Sequence, residues 1–251
     1  MNQITPVVKQ LLIVNVIIFL AAYFFVPILN VYFPLYYIEN PSFKIWQPIT
    51  HMFMHGGIMH ILFNMFALFS FGSVLEQIWG GKKFFIFYVL CGLGAALLHT
   101  AVNYWQFHET FNTLTANGFN GNEILNLTAQ NSYDNRWLSF VNMQDLATMQ
   151  QTYFSRAVGA SGAIYGLLVA FAFMFPNAGL ALIFVPVPIK AKYFVPALLL
   201  YDLFSGFSGS SIFGLGGGVA HFAHVGGAII GFILMWIWKK KQFDQYRWDK
   251  Q

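Results

Sequence analysis

Residues 159–176, GASGAIYGLLVAFAFMFP, form an apolar segment that opens on a run of small residues and closes on a proline. The segment belongs to a longer stretch, residues 157–189, in which no side chain is ionised at neutral pH when histidines are counted as neutral. Two further stretches of this kind are 10–38 and 84–108. A helix needs roughly 20 apolar residues to cross a hydrocarbon core, so each stretch is long enough to span a membrane.

The composition of the whole chain excludes a soluble domain. Of its 251 residues, 57% are hydrophobic and 9% are charged, whereas about a quarter of the residues in a soluble domain are charged. The single cysteine, Cys91, excludes an internal disulfide and a cysteine-based metal cage, and its apolar surroundings favour a packing role. The net charge of +4 does not indicate a nucleic-acid partner, because the cations form no surface stripe. We therefore predict an all-α polytopic membrane protein.

The apolar pattern predicts one domain, residues 1–251, built as a bundle of six membrane-spanning helices. The predicted spans are 10–29, 58–79, 83–105, 161–176, 193–210 and 219–238. If successive spans alternate in direction, most cations share one side, and they are Lys9, Lys82, Lys83, Lys190, Lys192, Lys239, Lys240, Lys241, Arg247 and Lys250.

The positive-inside rule makes that cation-rich side cytoplasmic, together with both termini. The apolar run from Leu11 to Leu29 is too long for the h-region of a signal peptide and has no small-x-small cleavage site. We interpret it as an uncleaved first span. Because the N-terminus also lacks the features of a transit peptide, we expect an integral protein of a bacterial inner membrane.

Residues 106–158 are polar and rich in asparagine, and they lie between the third and fourth spans. We predict an extracytoplasmic insertion, in which the segment from Asp145 to Tyr153 forms a short amphipathic helix. Long loops of this kind are often functional or disordered. A lid, a partner-binding element and a tolerated decoration are all compatible with the sequence.

The fourth predicted span is shorter than a membrane is thick. Its 16 residues, 161–176, cover roughly 24 Å as a helix, whereas the hydrocarbon core is about 30 Å thick. The backbone before Ser161 must then enter the membrane, which is tolerated only where protein covers it or water lines it. We expect a water-filled pocket that opens outward and has Ser161 at its floor.

Polar side chains inside spans are functional candidates. Ser161 stands at the start of a helix, where free N–H groups and the helix dipole favour developing negative charge. A hydroxyl and a neutral imidazole, here His224, form the minimal pair of nucleophile and general base. The remaining intramembrane or flanking candidates form two pairs of residues four apart, His60 with Asn64 on one helix face and His51 with His55 nearer the outer end. A further candidate is His221, three residues before His224.

The predicted pair requires two helices in close contact. Gly162 and Gly166 on the fourth span, and Gly227 and Gly231 on the sixth, provide small-residue faces that allow this approach. Tyr165 is expected to stack on the ring of His224. We see no acidic residue placed to orient that ring, so the sequence predicts a Ser-His dyad. Hydrolysis of a peptide bond by such a pair passes through a tetrahedral oxyanion, which needs hydrogen-bond donors. The candidate donors are the Ser161 N–H, the Asn64 amide and the His60 imidazole.

Taken together, these residues resemble the rhomboid family of intramembrane serine proteases. The residues that carry the resemblance are Trp46, Gln47, Pro48, His51, His55, His60, Asn64, Gly72, Glu76, Gly80, Gly159, Ala160, Ser161, Gly162, Tyr165, Ala223, His224, Gly227 and Gly231.

The resemblance implies that Ser161 is the nucleophile, that His224 is the general base, and that His60, Asn64 and the Ser161 N–H form the oxyanion site. It implies transmembrane proteins as substrates, a lipid bilayer as surroundings, and no metal or other cofactor. The fifth span would act as a side gate, and its Asp202 is assigned a structural role. The supporting residues are Gly159, Gly162, Tyr165 and Gly227.

One departure from the family pattern concerns the loop around Trp46, which the resemblance implies to lie half in the membrane. Gln47 stands where an arginine commonly follows the tryptophan, so an ion pair in this loop is expected to be missing. Two other functions stay open. They are a metal-dependent membrane protease or transporter built on the histidines, and a scaffold that binds membrane proteins without cleaving them.

Overall fold

The computed structural model describes residues 4–182, 185–208 and 219–245. In this part of the chain the α-helices are α1 (Pro6–Leu20), α2 (Leu29–Tyr32), α3 (Gln47–Thr50), α4 (Ile58–Ala67), α5 (Ser73–Trp79), α6 (Gly81–Ala116), α7 (Gly121–Ala129), α8 (Met143–Tyr153), α9 (Ser161–Met174), α10 (Ala191–Ser208) and α11 (Val219–Gln245). Two short antiparallel pairs accompany them, β1 (Leu35–Tyr36) with β2 (Arg156–Ala157), and β3 (Gly179–Leu182) with β4 (Val185–Lys190).

The architecture is the all-α polytopic fold that the sequence predicts. Among the described residues, four helical stretches are long and apolar enough to cross a membrane, namely Pro6–Phe25, Ile58–Trp79, Gly81–Ala116 and His221–Trp238. The helix α9 is apolar but shorter, with 14 residues. The count of six spans stays a prediction, and the end of the fifth predicted span at residues 209–210 lies outside the described residues.

The centre of the bundle is the contact between α9 and α11, where two backbones touch. A Cβ atom on Gly227 would lie 1.8 Å from the carbonyl oxygen of Gly162, and one on Gly231 would lie 2.7 Å from the Cα of Gly166. Only glycine allows helices to approach so closely. We call these four residues the glycine seam; they are the residues predicted to permit the approach.

The long helix α6 covers the seam from a third side. Ala95 packs against Gly162, and Cys91 packs against Gly166. Cys91 is fully buried and not in a disulfide, which matches the packing role expected for it. The helix α9 is therefore enclosed by α6 and α11, and its position is set by residues with small side chains.

A buried carboxylate fixes the first helix to the second predicted span. Glu76 of α5 accepts hydrogen bonds from the backbone N–H groups of Val7 (2.9 Å) and Val8 (2.8 Å) and from the Thr5 hydroxyl. These N–H groups lie in the first turn of α1, where backbone N–H groups have no partner within the helix. The positive end of the helix dipole is also there. Glu76 thus caps α1 and anchors it to the bundle.

The start of α6 lies beside the later turns of α11. The Lys83 ammonium at the start of α6 lies 4.0 Å from the centroid of the Trp238 ring. These two parts of the helices are therefore at the same end of the bundle, and the assignment of that end to the cytoplasmic side remains a prediction.

Residues 106–158 are largely helical rather than an irregular loop. The helix α6 continues past the predicted end of the third span at 105 and reaches Ala116; Gly118 follows with a positive φ of 88°. The predicted helix from Asp145 to Tyr153 is confirmed as α8. It begins at Met143 behind a capping box, in which Asn142 and Asp145 bond to each other's backbone N–H groups.

These outer helices enclose a second hydrophobic core, the outer cluster. Its buried members are Tyr37, Phe107, Leu114, Ile124, Trp137, Val141, Leu146, Met149 and Tyr153.

The outer cluster joins the insertion to the loop that follows α1. The ring of Tyr37 contacts that of Phe107 at 5.0 Å between centroids, and the Asn40 side chain donates to the Tyr153 carbonyl at 2.9 Å. Immediately after α8, strand β2 pairs with β1. The insertion is thus a folded unit whose C-terminal end leads directly to Ser161.

Candidate active site

A glycine turn connects strand β2 to the helix α9. Gly159 has a φ of +123°, and its N–H donates to the carbonyl oxygen of His51 at 2.9 Å. A Cβ atom at this position would lie 2.7 Å from the Nε2 atom of His60. Both the backbone conformation and the adjacent ring therefore require glycine. The turn makes Ser161 the first residue of α9.

The structure brings Ser161 and His224 together. The Nε2 atom of His224 lies 2.9 Å from the Oγ of Ser161, a normal hydrogen-bond distance. The ring of Tyr165 stacks on the His224 ring with 4.2 Å between centroids and 12° between planes, as the sequence predicts. The His224 side chain is 20% exposed, so the pair is not sealed inside the protein.

An acidic residue lies on the other side of His224. The Oδ1 atom of Asp202, on α10, is 3.2 Å from the Nδ1 atom of His224. The same oxygen is also hydrogen-bonded to the Nδ1 atom of His221. The prediction that no acidic residue is placed to orient the ring is therefore wrong. The two histidine partners of Asp202 lie 19 and 22 residues later in the sequence, on a different helix, so residue spacing alone does not reveal these contacts.

The groups predicted to stabilise an oxyanion come from two helices, since the Ser161 N–H begins α9 and both His60 and Asn64 lie on α4. The Ser161 N–H lies in the first turn of α9, where N–H groups have no partner within the helix. Asn64 is buried, and its side-chain amide donates one hydrogen to the His60 carbonyl at 2.8 Å, which leaves the second hydrogen of the NH₂ group.

A hydrogen bond to His60 determines which nitrogen of its ring carries the proton. The Gly56 N–H donates to the Nδ1 atom of His60 at 3.3 Å, so Nδ1 acts as the acceptor and Nε2 carries the proton. That Nε2–H group is on the side of the ring that faces Gly159. The imidazole thus presents a donor toward the turn that precedes Ser161.

His51 and His55 precede the second predicted span and support the site. The Nδ1 atom of His51 is 3.0 Å from the Gln47 carbonyl oxygen, and the His55 ring meets the His60 ring edge to face at 5.1 Å. Burial lowers the pKa of His51 to about 4. Burial, with a smaller contribution from His60, lowers the pKa of His55 to about 3. Both rings are therefore neutral at pH 7.

Potential metal ligands converge at one place in the described residues. Asp202, His221 and His224 each offer one ligand atom, and these atoms lie within 4.8 Å of one another. The other three candidate histidines, His51, His55 and His60, are outside this group.

The Gln47 side chain is integrated into the loop around Trp46. Gln47 is fully buried. Its side-chain NH₂ group donates to the carbonyl oxygens of Ser42 (2.9 Å) and Tyr32 (3.2 Å), and its Oε1 atom accepts from the Tyr36 N–H. The Trp46 indole N–H donates to the same Tyr32 carbonyl at 3.1 Å. Neutral hydrogen bonds thus hold the loop in which an ion pair was expected to be missing.

The fold and the site define a helical membrane protein with a serine, a histidine and an aspartate linked by hydrogen bonds. Comparison with known families agrees. A family model described as the Rhomboid domain matches residues 42–109 and 136–241, and the chain belongs to the rhomboid family. The residues between the two matched parts, 110–135, contain the end of α6 and all of α7.

The chain is also similar to curated proteins that are named as rhomboid proteases or rhomboid-like proteins. The chain is 30% identical over 199 residues to Rhomboid protease AarA of Providencia stuartii, an alignment that covers 75% of this chain and 54% of AarA. It is 37% identical over 52 residues to Rhomboid protease GlpG of Salmonella newport (21% of this chain, 19% of GlpG). It is 40% identical over 53 residues to RHOMBOID-like protein 6, mitochondrial, of Arabidopsis thaliana (21% and 17%). The chain thus spans about half the length of AarA.

Proposed function

We propose that the protein is an intramembrane serine endopeptidase that cleaves transmembrane segments near their extracytoplasmic ends. The observation that carries this proposal is the 2.9 Å hydrogen bond between Ser161 and His224. It joins a nucleophile to a base at the start of an apolar helix too short to cross a membrane alone. The rhomboid proteases among the relatives support the same activity.

The chemistry follows from the donors and acceptors around the serine. The Nε2 atom of His224 takes the hydroxyl proton of Ser161 as Oγ attacks the scissile carbonyl carbon. The oxyanion accepts hydrogen bonds from the Ser161 N–H, the His60 Nε2–H and the Asn64 amide. His224 then gives the proton to the leaving amine, the C–N bond breaks, and water hydrolyses the acyl-enzyme by the same proton transfers.

The substrate class follows from the state of a transmembrane helix. Its carbonyl groups are engaged in backbone hydrogen bonds, so the enzyme must bind an unwound segment. We expect helix-weakening glycine or proline near the cut and a small residue at it, in a bilayer and without a cofactor. The protein would lie in a bacterial inner membrane with cytoplasmic termini and with the insertion of residues 106–158 on the opposite side.

The test is cleavage of a single-span reporter by the purified protein in lipid vesicles, with the cut located by mass spectrometry. We expect one cut at the extracytoplasmic end of the span when that end contains glycine. The proposal is wrong if the intact protein cleaves no such reporter, or if the Ser161→Ala variant produces the same fragments.

The replacement Asn64→Ala is expected to lower kcat by roughly 10²-fold, because it removes one oxyanion donor. The measurement is the cleavage rate at saturating reporter. Asn15→Ala is the matched control. Asn15 is also buried and donates to the carbonyl four residues earlier at 2.8 Å, but it lies on α1, which carries none of the proposed catalytic or oxyanion groups. Equal losses in the two variants would remove Asn64 from the mechanism.

A metal-dependent activity is the second candidate function, since Asp202, His221 and His224 offer three ligand atoms close together. The proposed serine mechanism requires no metal. We therefore expect full cleavage after treatment with a chelator such as EDTA, measured against an untreated sample. Loss of cleavage that added Zn²⁺ restores would favour the metal-dependent alternative.

A further inference from the structure

Asp202 is a buried acid in an apolar part of the structure. It is 1% exposed, and a buried carboxylate is costly unless hydrogen bonds compensate it. Here one oxygen, Oδ1, serves two imidazole rings of α11. An ionised carboxylate can only accept hydrogen bonds, so the Nδ1 atoms of both His221 and His224 must act as donors.

The protonation of Nδ1 determines what the opposite nitrogen of His224 can do. A neutral imidazole carries one N–H, so a ring protonated at Nδ1 has a lone pair at Nε2. That nitrogen is the one 2.9 Å from the Ser161 hydroxyl. Without an acceptor at Nδ1, the ring could equally carry its proton on Nε2 and could not accept one from the serine.

We propose that Asp202 is a positioning residue that holds His224 in the tautomer able to accept the Ser161 proton. The inference rests on the proposed protease function and extends it from a serine–histidine pair to a chain of three groups. When His224 becomes an imidazolium during proton transfer, the carboxylate 3.2 Å away also stabilises the new charge. The Tyr165 ring stacks on one face of the His224 ring and limits its rotation.

His221 completes the arrangement by holding the carboxylate itself. Its bond to Oδ1 keeps Asp202 turned toward α11, and the Tyr201 ring meets the His221 ring edge to face at 6.0 Å. The titratable groups around His224 are thus Asp202 and Tyr201 from α10, Tyr165 from α9, His60 from α4 and His221 from α11 itself.

A purely structural role is the competing explanation, since the same contacts join α10 to α11. The replacement Asp202→Asn distinguishes the positioning role from the structural role, because asparagine has nearly the same shape as aspartate but carries no charge. We expect kcat to fall on the order of 10²-fold with little change in KM. The loss stays below that of a serine variant, because Tyr165 still holds the ring. Glu76→Gln is the matched control, since Glu76 is also a buried helix-joining carboxylate, far from His224 in the sequence.

The division of the loss between kcat and KM provides a readout that a structural role would not move. Lost positioning lowers kcat per folded molecule of Asp202→Asn and leaves KM unchanged, while Glu76→Gln keeps the wild-type kcat per folded molecule. Wild-type kcat in Asp202→Asn, or a loss equal to the loss of folded protein, would overturn the inference.

Nitrogen-15 NMR of the histidine-labelled wild-type protein tests the tautomer without relying on a folded variant. The signals absent from His224→Ala belong to His224, and we expect Nδ1 to be protonated and Nε2 unprotonated near neutral pH. The opposite tautomer would refute the positioning role even if the protein cleaves its reporter. A wild-type protein that cleaves nothing would instead refute the proposed function.

Discussion

Ser161→Ala and His224→Ala are each expected to abolish cleavage, with rate losses of about 10⁴-fold or more. Each replacement removes one of the two groups between which the proton moves. The remaining group cannot take over the role of the missing one. Ser161→Ala removes only one partly exposed hydrogen bond, so its unfolding free energy should change by only about 1 kcal/mol. His224→Ala also removes the bond to Asp202 and the stacking contact with Tyr165, so we expect it to lose more stability than Ser161→Ala while remaining folded. The measurements are the cleavage rate and the thermal unfolding midpoint in the same detergent.

The control for this pair is Ser73→Ala, which removes the hydroxyl of a buried serine on α5. It should cleave at the wild-type rate. If either Ser161→Ala or His224→Ala retained normal turnover while folded, the assignment of nucleophile and base would be wrong.

Gly227→Ala is expected to reduce cleavage by at least about 10²-fold and to lower stability by about 1–3 kcal/mol. The added methyl group would stand 1.8 Å from the Gly162 carbonyl oxygen, well inside van der Waals contact. The helices α9 and α11 must therefore move apart by more than an ångström, which stretches the bond between Ser161 and His224. The measurements are the cleavage rate and the denaturation midpoint.

Gly57→Ala is the matched control, because a Cβ atom there has no neighbour within 4 Å. The backbone at Gly57 is extended, with a φ of 170°, so alanine adopts it without strain. This variant should keep both stability and cleavage. Wild-type cleavage by Gly227→Ala would show that the glycine seam does not control the distance between the two reacting groups.

The central contact of the site could be predicted because its signals are local. Helix spacing puts Tyr165 one turn after Ser161, and glycines four residues apart predict a close helix pair. Both features depend on the order of residues within one helix, and the structure has both. The depth that the short apolar segment before Pro176 indicates stays a prediction.

Asp202 could not be assigned in the same way, because its role depends on how α10 packs against α11. A usable signal was nevertheless present. An acid inside an apolar helix needs a partner, and His221 and His224, three residues apart on one face, could supply two. Residue spacing alone does not reveal which helices are neighbours, so only the three-dimensional structure shows this contact.

The prediction of a polar insertion rests on its composition, which conceals a regular pattern of apolar residues. Leu146, Met149 and Tyr153 recur at helical spacing, and all three are buried in the outer cluster. The capping pair Asn142 and Asp145 marks where that helix begins. The hydrogen bonds of Gln47, in contrast, depend on the path of an irregular loop, which no periodic pattern describes.

Covalent labelling with a serine-directed fluorophosphonate probe tests the central claim most directly, since the probe reacts only with a hydroxyl that a nearby base activates. We expect the intact protein in detergent or vesicles to be labelled at Ser161, and the Ser161→Ala variant to remain unlabelled. An unlabelled intact protein that still cleaves its reporter, or equal labelling of the two proteins, would contradict this account.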